Sequence, residues 1–307
     1  MTDFVILYEN VAWLPPFRDA FASAGINHAE WFLGEDAIDM KSPPPASVFY
    51  SRMSASHLAR GNHHAPAAAG AIFDWLALHG RPVVNGKAAL RLELSKWAQH
   101  AALASAGIAT PKTVLAVGAA QIEAAASKLG QAPFILKPNR GGKGLGVRLV
   151  QDIDDLRAEQ ASLSTEASAD DLWLLQEYCP SPDGSLTRLE FIGGKLHYAV
   201  RVNAGGSFEL CPAEACAIDG APPMFAIAKD YDQALAAHLT RFLEAANVQI
   251  AGVEYLTTAD GRAVVYDINT NTNYNPDAEA AAGVASGPDT VTRYLENLAA
   301  DARRIAA

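Results

Sequence analysis

Residues 252–269 read Gly252-Val-Glu-Tyr-Leu-Thr-Thr-Ala-Asp-Gly-Arg-Ala-Val-Val-Tyr-Asp-Ile-Asn269. Two β-rich runs flank Asp260-Gly261, a dipeptide that suits a tight hairpin because it tolerates positive φ. If that dipeptide is the whole turn, Ala259 faces Arg262, and counting back places Glu254 directly opposite Asp267, with Asn269 on the same face. Carboxylates directly across a strand pair repel. A bound cation removes the conflict, and Glu, Asp and Asn oxygens are the hard ligands that Mg²⁺ takes together with phosphate oxygens. A solvated polar face, or a carboxyl sharing a proton, would also relieve it.

A second hairpin turns at Gly193-Gly194, between Leu186–Ile192 and Lys195–Asn203. The same counting pairs Arg188 with Ala199 and puts Arg188, Glu190, Lys195, His197, Arg201 and Asn203 on one face, with the apolar residues on the other. Such a face can be plain solvated surface, or its arginines can neutralise phosphate oxygens. Upstream, Phe134–Lys137 reads as a strand that runs through Pro138-Asn139-Arg140 into Gly141-Gly142-Lys143-Gly144-Leu145-Gly146 and then a further strand. Glycines let backbone N–H groups approach phosphate closely. The run leads into a strand rather than a helix, which excludes both the Walker loop and the dinucleotide fingerprint. Lys137, between Leu136 and Pro138, is a buried lysine in need of an anion.

Strands and helices alternate at the start of the chain. Phe4–Tyr8, Val48–Tyr50 and Val83–Val84 read as strands, and Pro15–Ala24 and Ala67–His79 as helices, which suggests a small parallel α/β unit over residues 1–86. Lys87–Ala106 reads as one long helix. Further strands are expected at Lys112–Val117, Val147–Val150 and Leu172–Glu177, and helices at Ala119–Leu129, Ile153–Leu163, Asp230–Ala246 and Asp289–Arg304. Cys179-Pro-Ser-Pro-Asp-Gly184 reads as a hinge. Three units are expected: 1–86, 87–177 and 178–307.

The 307 residues carry a formal net charge of −10 and no long basic run, which argues against a nucleic-acid partner. No apolar stretch approaches the roughly 20 residues needed to cross a bilayer, and no basic leader precedes Phe4. Three cysteines, Cys179, Cys211 and Cys216, make no disulfide framework, and Cys211 and Cys216 lack a second ligand pair for zinc. A reducing cytoplasm is the expected compartment. His57, His63 and His64 flank Gly61-Asn62 and read as solvated. The five tryptophans read as packing residues. Arg52 follows a strand of the first unit, where α/β folds present ligand crevices, and is a candidate for a substrate carboxylate.

Taken together these motifs resemble the ATP-grasp superfamily, and within it the RimK-like ligases that join a carboxylate to an amine. The resemblance covers about residues 83–275. It implies an α/β (α+β) fold in which two α+β subdomains grip ATP behind a small parallel pre-ATP-grasp domain. Lys96, followed by Gly107 and Pro111, has the spacing of the family's first nucleotide-contacting lysine, and Lys137 stands as the second, with Gly141, Gly142 and Gly144 in the phosphate lid. Gln176-Glu177-Tyr178 looks like the hinge that meets adenine. Arg188 and Arg201 match the arginines of the following hairpin, to which the resemblance gives a catalytic role. Glu254, Asp267 and Asn269 match the metal triad for Mg²⁺ (or Mn²⁺).

The chain departs from the pattern at four places. Ser95 stands where Asp is common, and Glu254 and Asp267 reverse the usual Asp-then-Glu order. Asn269–Pro276 replaces a Ser-Pro-Gly-type turn, and Glu209–Cys216 replaces an often basic stretch. Asn203, Asn271 and Asn273 join Arg52 as candidate substrate contacts. The implied partners are a small-molecule or peptide carboxylate and an amine, neither identified by the sequence. Membrane and nucleic acid are not expected, and homo-oligomerisation is left open. A phosphotransferase and a non-catalytic nucleotide-binding module are the competing functions.

Overall fold

The computed structural model describes residues 3–34, 37–142, 144–163, 168–203 and 225–306. Cys211, Cys216 and the stretch from Glu209, together with Lys143 of the glycine loop, lie outside them.

The first sheet is parallel throughout, in the order β2-β1-β3-β4. Its strands are β1 (Phe4–Tyr8), β2 (His28–Phe32), β3 (Val48–Arg52) and β4 (Val83–Val84), and α1 (Pro15–Ser23) and α2 (Ala65–Leu78) connect them. Strand β2 had no sequence signal: His28-Ala-Glu-Trp-Phe32 is half-buried along its whole length and sits at the sheet edge, so no alternation developed. Its Glu30 is held by Arg18 of α1.

Helices α3 (Lys87–Leu94) and α4 (Lys96–Ser105) replace the single helix expected over Lys87–Ala106. Ser95 breaks it. Its backbone is extended, its Oγ caps the amide of Ala98, and the same hydroxyl donates to Asn139 Oδ1 at 3.0 Å. Serine competes for backbone partners and so favours caps over helix interiors.

The second sheet has the order β5-β8-β6-β7, with neighbouring strands antiparallel. It comprises β5 (Thr113–Val117), β6 (Phe134–Pro138), β7 (Arg148–Val150) and β8 (Leu172–Glu177), backed by α5 (Ile122–Leu129) and α6 (Ile153–Ser162). The third, in the order β11-β10-β9-β12-β13, is antiparallel. It comprises β9 (Ser185–Ile192), β10 (Lys195–Asn203), β11 (Phe225–Ala228), β12 (Ile250–Thr257) and β13 (Ala263–Asn269). Helices α7 (Gln233–Ala245), α8 (Pro276–Ala282) and α9 (Gly287–Ala306) complete the described chain. None of its helices is long and apolar enough to cross a membrane.

The cores cut across chain order. Ala89, Leu92, Ala98 and Leu103 of α3 and α4 pack with Leu189, Phe191, Val253 and Leu239 beneath the third sheet. Val291, Leu295 and Ala299 of α9 return to Phe4, Ile6 and Phe17 of the first unit. Asn85 fastens these layers at the point where the first unit ends. Its Nδ2 donates to the carbonyls of Ile250 (2.8 Å) and Thr270 (2.7 Å), and its Oδ1 accepts from the amides of Gln249 and Ile250 at 3.1 Å. It is buried and left-handed, with φ 56°.

Replacing Asn85 with alanine removes these bonds and adds left-handed strain. The expected loss is roughly 3 kcal/mol, about 1 kcal/mol more than for Asn85→Gly. Urea unfolding of both variants measures the difference, and equal midpoints would contradict it.

Candidate active site

Glu254 pairs with Asp267 across β12 and β13, as expected, but by a different route. The turn holds three residues, Ala259-Asp260-Gly261, because Thr258 N bonds Arg262 O and Thr257 faces Ala263. That shifts the register by one residue, and a bulge at Tyr266 shifts it back before Asp267 is reached. The two irregularities cancel. The bulge also lets Tyr266 Oη donate to Glu254 Oε2 at 2.9 Å.

On β9 the counting fails. A single bulge at His197 on β10 is not compensated, so Arg188 pairs with Val200 rather than Ala199, and Arg201 pairs with Thr187. One residue of slip moves a side chain to the other face. Arg201 therefore lies on the opposite face from Arg188, where it bonds Asp230 Oδ2 at 2.9 Å and approaches Asp183. Asn203 follows it at the end of β10, opposite Ser185.

Arg188 stands beside Glu254 in the row Val200, Arg188, Glu254, Asp267. The next row runs Glu190, Gly252, Asn269. Asn269 Nδ2 lies 3.5 Å from Glu254 Oε1, so the third member of the expected triad adjoins the first.

Helix α4 faces this row from the edge. Gln99 donates to the carbonyls of Leu92 and Ile268 and accepts from the Ile268 amide, completing the backbone bonds of edge strand β13. Three residues earlier on the helix, Lys96 reaches Asp267 Oδ1 at 3.3 Å. Lys137 arrives from β6, and the turn after it is tied to α4: Asn139 O accepts from Lys96 N, and Asn139 Oδ1 from Trp97 N. Lys137 is 5% exposed and Glu254 is 2% exposed.

Burial dominates the electrostatics of both. It pushes Lys137 from its ordinary 10.5 down to about 7, with Lys96 adding to the effect and Asp267 and Glu254 only partly opposing it. Burial likewise lifts Glu254 to about 7, reinforced by Asp267 and opposed by Arg188. Asp267 is half-buried, and although desolvation acts to raise it, Lys96 and Lys137 hold it below its ordinary value. Two lysines and two carboxylates thus converge with their charges poorly satisfied by one another. Among the described residues no three His, Cys, Asp or Glu side chains converge as a metal cage. Two carboxylates and an amide are instead a partial oxygen shell of the kind that Mg²⁺ completes with phosphate oxygens and water. The donor set fits that ion.

The glycine loop rests on the first unit. At Gly142 an added Cβ would lie 3.1 Å from the backbone N and Cβ of Ser56, so the loop needs glycine there to sit this close. Gly141 and Gly144, both with positive φ, flank it. Gln176 is buried on β8, and Glu177 and Tyr178 are half-buried at the strand end, where Glu177 Oε2 accepts from Lys112 N.

Arg52 is not open to solvent. It is 1% exposed, lies over the Phe17 ring, and donates to Thr272 O (2.9 Å) and Asn273 Oδ1 (2.7 Å), while Asn271 Nδ2 donates to Arg52 O. Three of the four residues expected at a substrate are thus joined, Asn271 and Asn273 each to Arg52. The segment they share is held from every side. Glu93 accepts from the amide and hydroxyl of Thr270, Arg188 donates to Asn273 O, and Glu190 accepts from Thr272 Oγ1. Gly252 lies directly beneath, where a Cβ would meet Thr272 Oγ1 at 3.0 Å and Glu190 Oε2 at 3.1 Å. His57, expected in solvent, is buried and bonded through Nδ1 to Asn62 O. Trp97, expected to pack, is 38% exposed.

Asn85, Glu93, Gln99 and His100 carried no reading in the sequence. A signal for Gln99 and His100 existed: they stand three and four residues after Lys96, a polar stripe on the face of α4 that should bury apolar residues.

Replacing Lys137 with methionine gives a test with a definite sign. Its folded pKa lies below the unfolded value, so the unfolded chain binds more protons between about pH 7 and 10.5, and native stability rises with pH through that window. Lys137→Met should be more stable than the parent by roughly a few kcal/mol near pH 7, an advantage that shrinks towards pH 10. Urea unfolding at the two pH values reads it, and a variant less stable at pH 7 would refute the unpaired state of Lys137.

Comparison with known proteins identifies the family and the fold. Residues 94–281, more than half of the chain, match the model of the RimK-like ATP-grasp domain. A protein of Mannheimia succiniciproducens described as a probable alpha-L-glutamate ligase is 28% identical over 228 residues, spanning 74% of this chain and 70% of that protein. The RimK domain ATP-grasp protein of Sphaerobacter thermophilus superposes with a TM-score of 0.68 at 22% identity, over 96% of this chain and 99% of the other. The ATP-grasp ligase PsnB in complex with a minimal precursor gives 0.67 at 14% identity, over 97% and 99%. D-cycloserine synthetase DcsG gives 0.66 at 16% identity, again over 97% and 99%. A glycine loop, two converging lysines and a pair of opposed carboxylates are thus set in a fold shared with these proteins, and the chain belongs to the RimK-like ATP-grasp family.

Proposed function

We propose that the chain is an ATP-dependent ligase that joins a carboxylate to an amine through an acyl phosphate. The observation that carries this reading is the meeting of the buried Lys137 and Glu254 with the half-buried Lys96 and Asp267 in one place. Lys96 pairs with Asp267 at 3.3 Å, whereas burial drives Lys137 and Glu254 towards their neutral forms, and a further partner would relieve both. A nucleotide polyphosphate with a divalent cation supplies both missing signs at once, and one neighbour of the same fold is described as holding Mg and ADP.

In this reading Lys96 and Lys137 bind phosphate oxygens, and the loop through Gly141, Gly142 and Gly144 covers them. Gln176, Glu177 and Tyr178 receive the base. Glu254, Asp267 and Asn269 hold Mg²⁺ (or Mn²⁺), which when bound neutralises phosphate charge. Arg188, fixed by Glu190 at 2.6 Å and by the carbonyl of Asn273 at 2.8 Å, offers its remaining donors on the same face as Glu254. Arg201 faces Asp230 and takes no part.

A substrate carboxylate oxygen attacks the γ-phosphorus, and the bond to the β-bridging oxygen breaks to release ADP. The amine nitrogen then attacks the acyl carbon, phosphate leaves, and an N–H proton is lost. No protein side chain is required as a nucleophile, because positioning and charge supply the acceleration. The substrates belong to the class of amino acids or peptides, on the names of the relatives. Asn273, exposed beside the buried Arg52, is the residue of the 270–273 segment open to them.

ADP release should depend on both a carboxylate and an amine, with hydroxylamine able to replace the amine and give a hydroxamate. Release with a single acceptor would indicate a phosphotransferase, and nucleotide binding without turnover a binding module. Asp267→Asn should lower turnover at least a thousandfold, about 4 kcal/mol, with an unchanged circular dichroism spectrum. Near-parental activity would remove the metal assignment.

A further inference from the structure

Gln176 and Lys137 share a face of the second sheet. Gln176 pairs with Ile135, two residues before Lys137, and alternate residues of a strand point the same way. If Lys137 meets phosphate, as proposed above, Gln176 lies a short step along the same cleft.

The orientation of its amide can be deduced. Thr113, opposite Gln176 on β5, donates its hydroxyl hydrogen to Pro111 O at 2.8 Å. The hydroxyl therefore has only lone pairs to offer Gln176. The Gln176 amide atom 2.8 Å from it must be the nitrogen. That same nitrogen lies 2.7 Å from His100 Nε2, which must accept as well. His100 is then a neutral imidazole with its proton on Nδ1, consistent with burial and the neighbouring Lys137, which push it down to about 3. Both hydrogens of the amide are consumed, and Oε1 is the acceptor it has left. His100 is 4% exposed, and its Nδ1 has no partner among the described residues. A buried imidazole with an orphaned donor is costly to keep for packing alone.

We infer that His100 and Thr113 are positioning residues for nucleobase choice: by holding both amide hydrogens of Gln176 they present its Oε1 as an acceptor, which suits the exocyclic amino group of adenine and repels the O6 of guanine. A free glutamine would serve either base by rotating its amide. A pinned one does not, because the wrong base leaves two acceptors face to face. The inference rests on the nucleotide site proposed above.

The experiment is calorimetric titration of Mg²⁺-ATP and Mg²⁺-GTP, which requires no knowledge of the other substrates. The parent should bind ATP much more tightly than GTP. His100→Leu and Thr113→Val should each narrow that ratio at least tenfold, while Thr113→Ser, which retains the hydroxyl, should restore it. A general packing defect would weaken both nucleotides by the same factor, and an unchanged ratio in Thr113→Val and His100→Leu would overturn the inference while leaving the nucleotide site intact. If His100→Leu does not fold, Thr113→Val and its serine counterpart decide between these outcomes by themselves. A parent that binds neither nucleotide would remove the site itself, and this inference with it.

Discussion

Burial of charge is the constraint on which the rest of this structure depends. Lys137 and Glu254 have opposite signs and neighbouring positions, yet burial drives each towards its neutral form, to about 7 in both cases. Were mutual attraction the larger effect, Lys137 would rise and Glu254 would fall. Each is surrounded by its own sign as well as the opposite one, Lys137 by Lys96 and Glu254 by Asp267. Lys96 pairs with Asp267 at 3.3 Å, but among the described residues no ion pair holds Lys137 or Glu254, and pairing is the usual way a buried ion is tolerated. The polypeptide around Lys137 and Glu254 must be rigid enough to keep the two from collapsing onto one another.

That rigidity comes from polar groups, not from a larger core. Glu93 shows how. Burial raises its pKa, and its two oxygens accept from Ala55 N at the edge of the first unit and from Thr270 just after β13. Asn85 does the same from the other side. Arg52 reaches in from β3 and Arg188 from β9. Residues 270–273 are thus a strap that three layers hold in common, immediately beyond Asn269. A chain with no regular secondary structure is ordered here because its backbone groups find side-chain partners, and buried backbone groups without partners are rarely tolerated. The glycine loop has the reverse character, with Gly142 close against the backbone N and Cβ of Ser56.

Much of the fold was legible in the sequence because binary pattern and turn residues agree over most of it. β1, β3 and β4 with α1 and α2, and the strands of both hairpins, lie where periodicity and Gly or Pro placed them. The exceptions share a cause. Ser95 broke a helix because Asn139, distant in sequence, offered its hydroxyl a partner. β2 at an edge and α8, which follows the strap, carry too few buried residues to show a period. Arg52 and Asn271, two of the polar residues expected at a substrate, are buried, and their hydrogen bonds are made within the fold. A polar residue near a ligand crevice reads the same in sequence whether it meets a substrate or holds the wall that does.

The two hairpins show how a correct pairing can follow from an incorrect count. In one, a three-residue turn and the Tyr266 bulge each displace the register by one residue, in opposite senses, and Glu254 still meets Asp267. In the other, the His197 bulge stands alone, and Arg201 passes to the far face. A single bulge thus separates two arginines that the pleat would have placed together. Its effect is to leave Arg188 as the cation next to Glu254, where its contacts to Glu190 and Asn273 O join the charge cluster to the strap. Bulges bend strands and re-aim side chains at sites. Here the bulge on β10 and the bulge on β13 act on the same sheet face, one removing Arg201 from it and the other bringing Tyr266 Oη onto Glu254. The chemistry of that face follows from two inserted residues as much as from the charged side chains that occupy it.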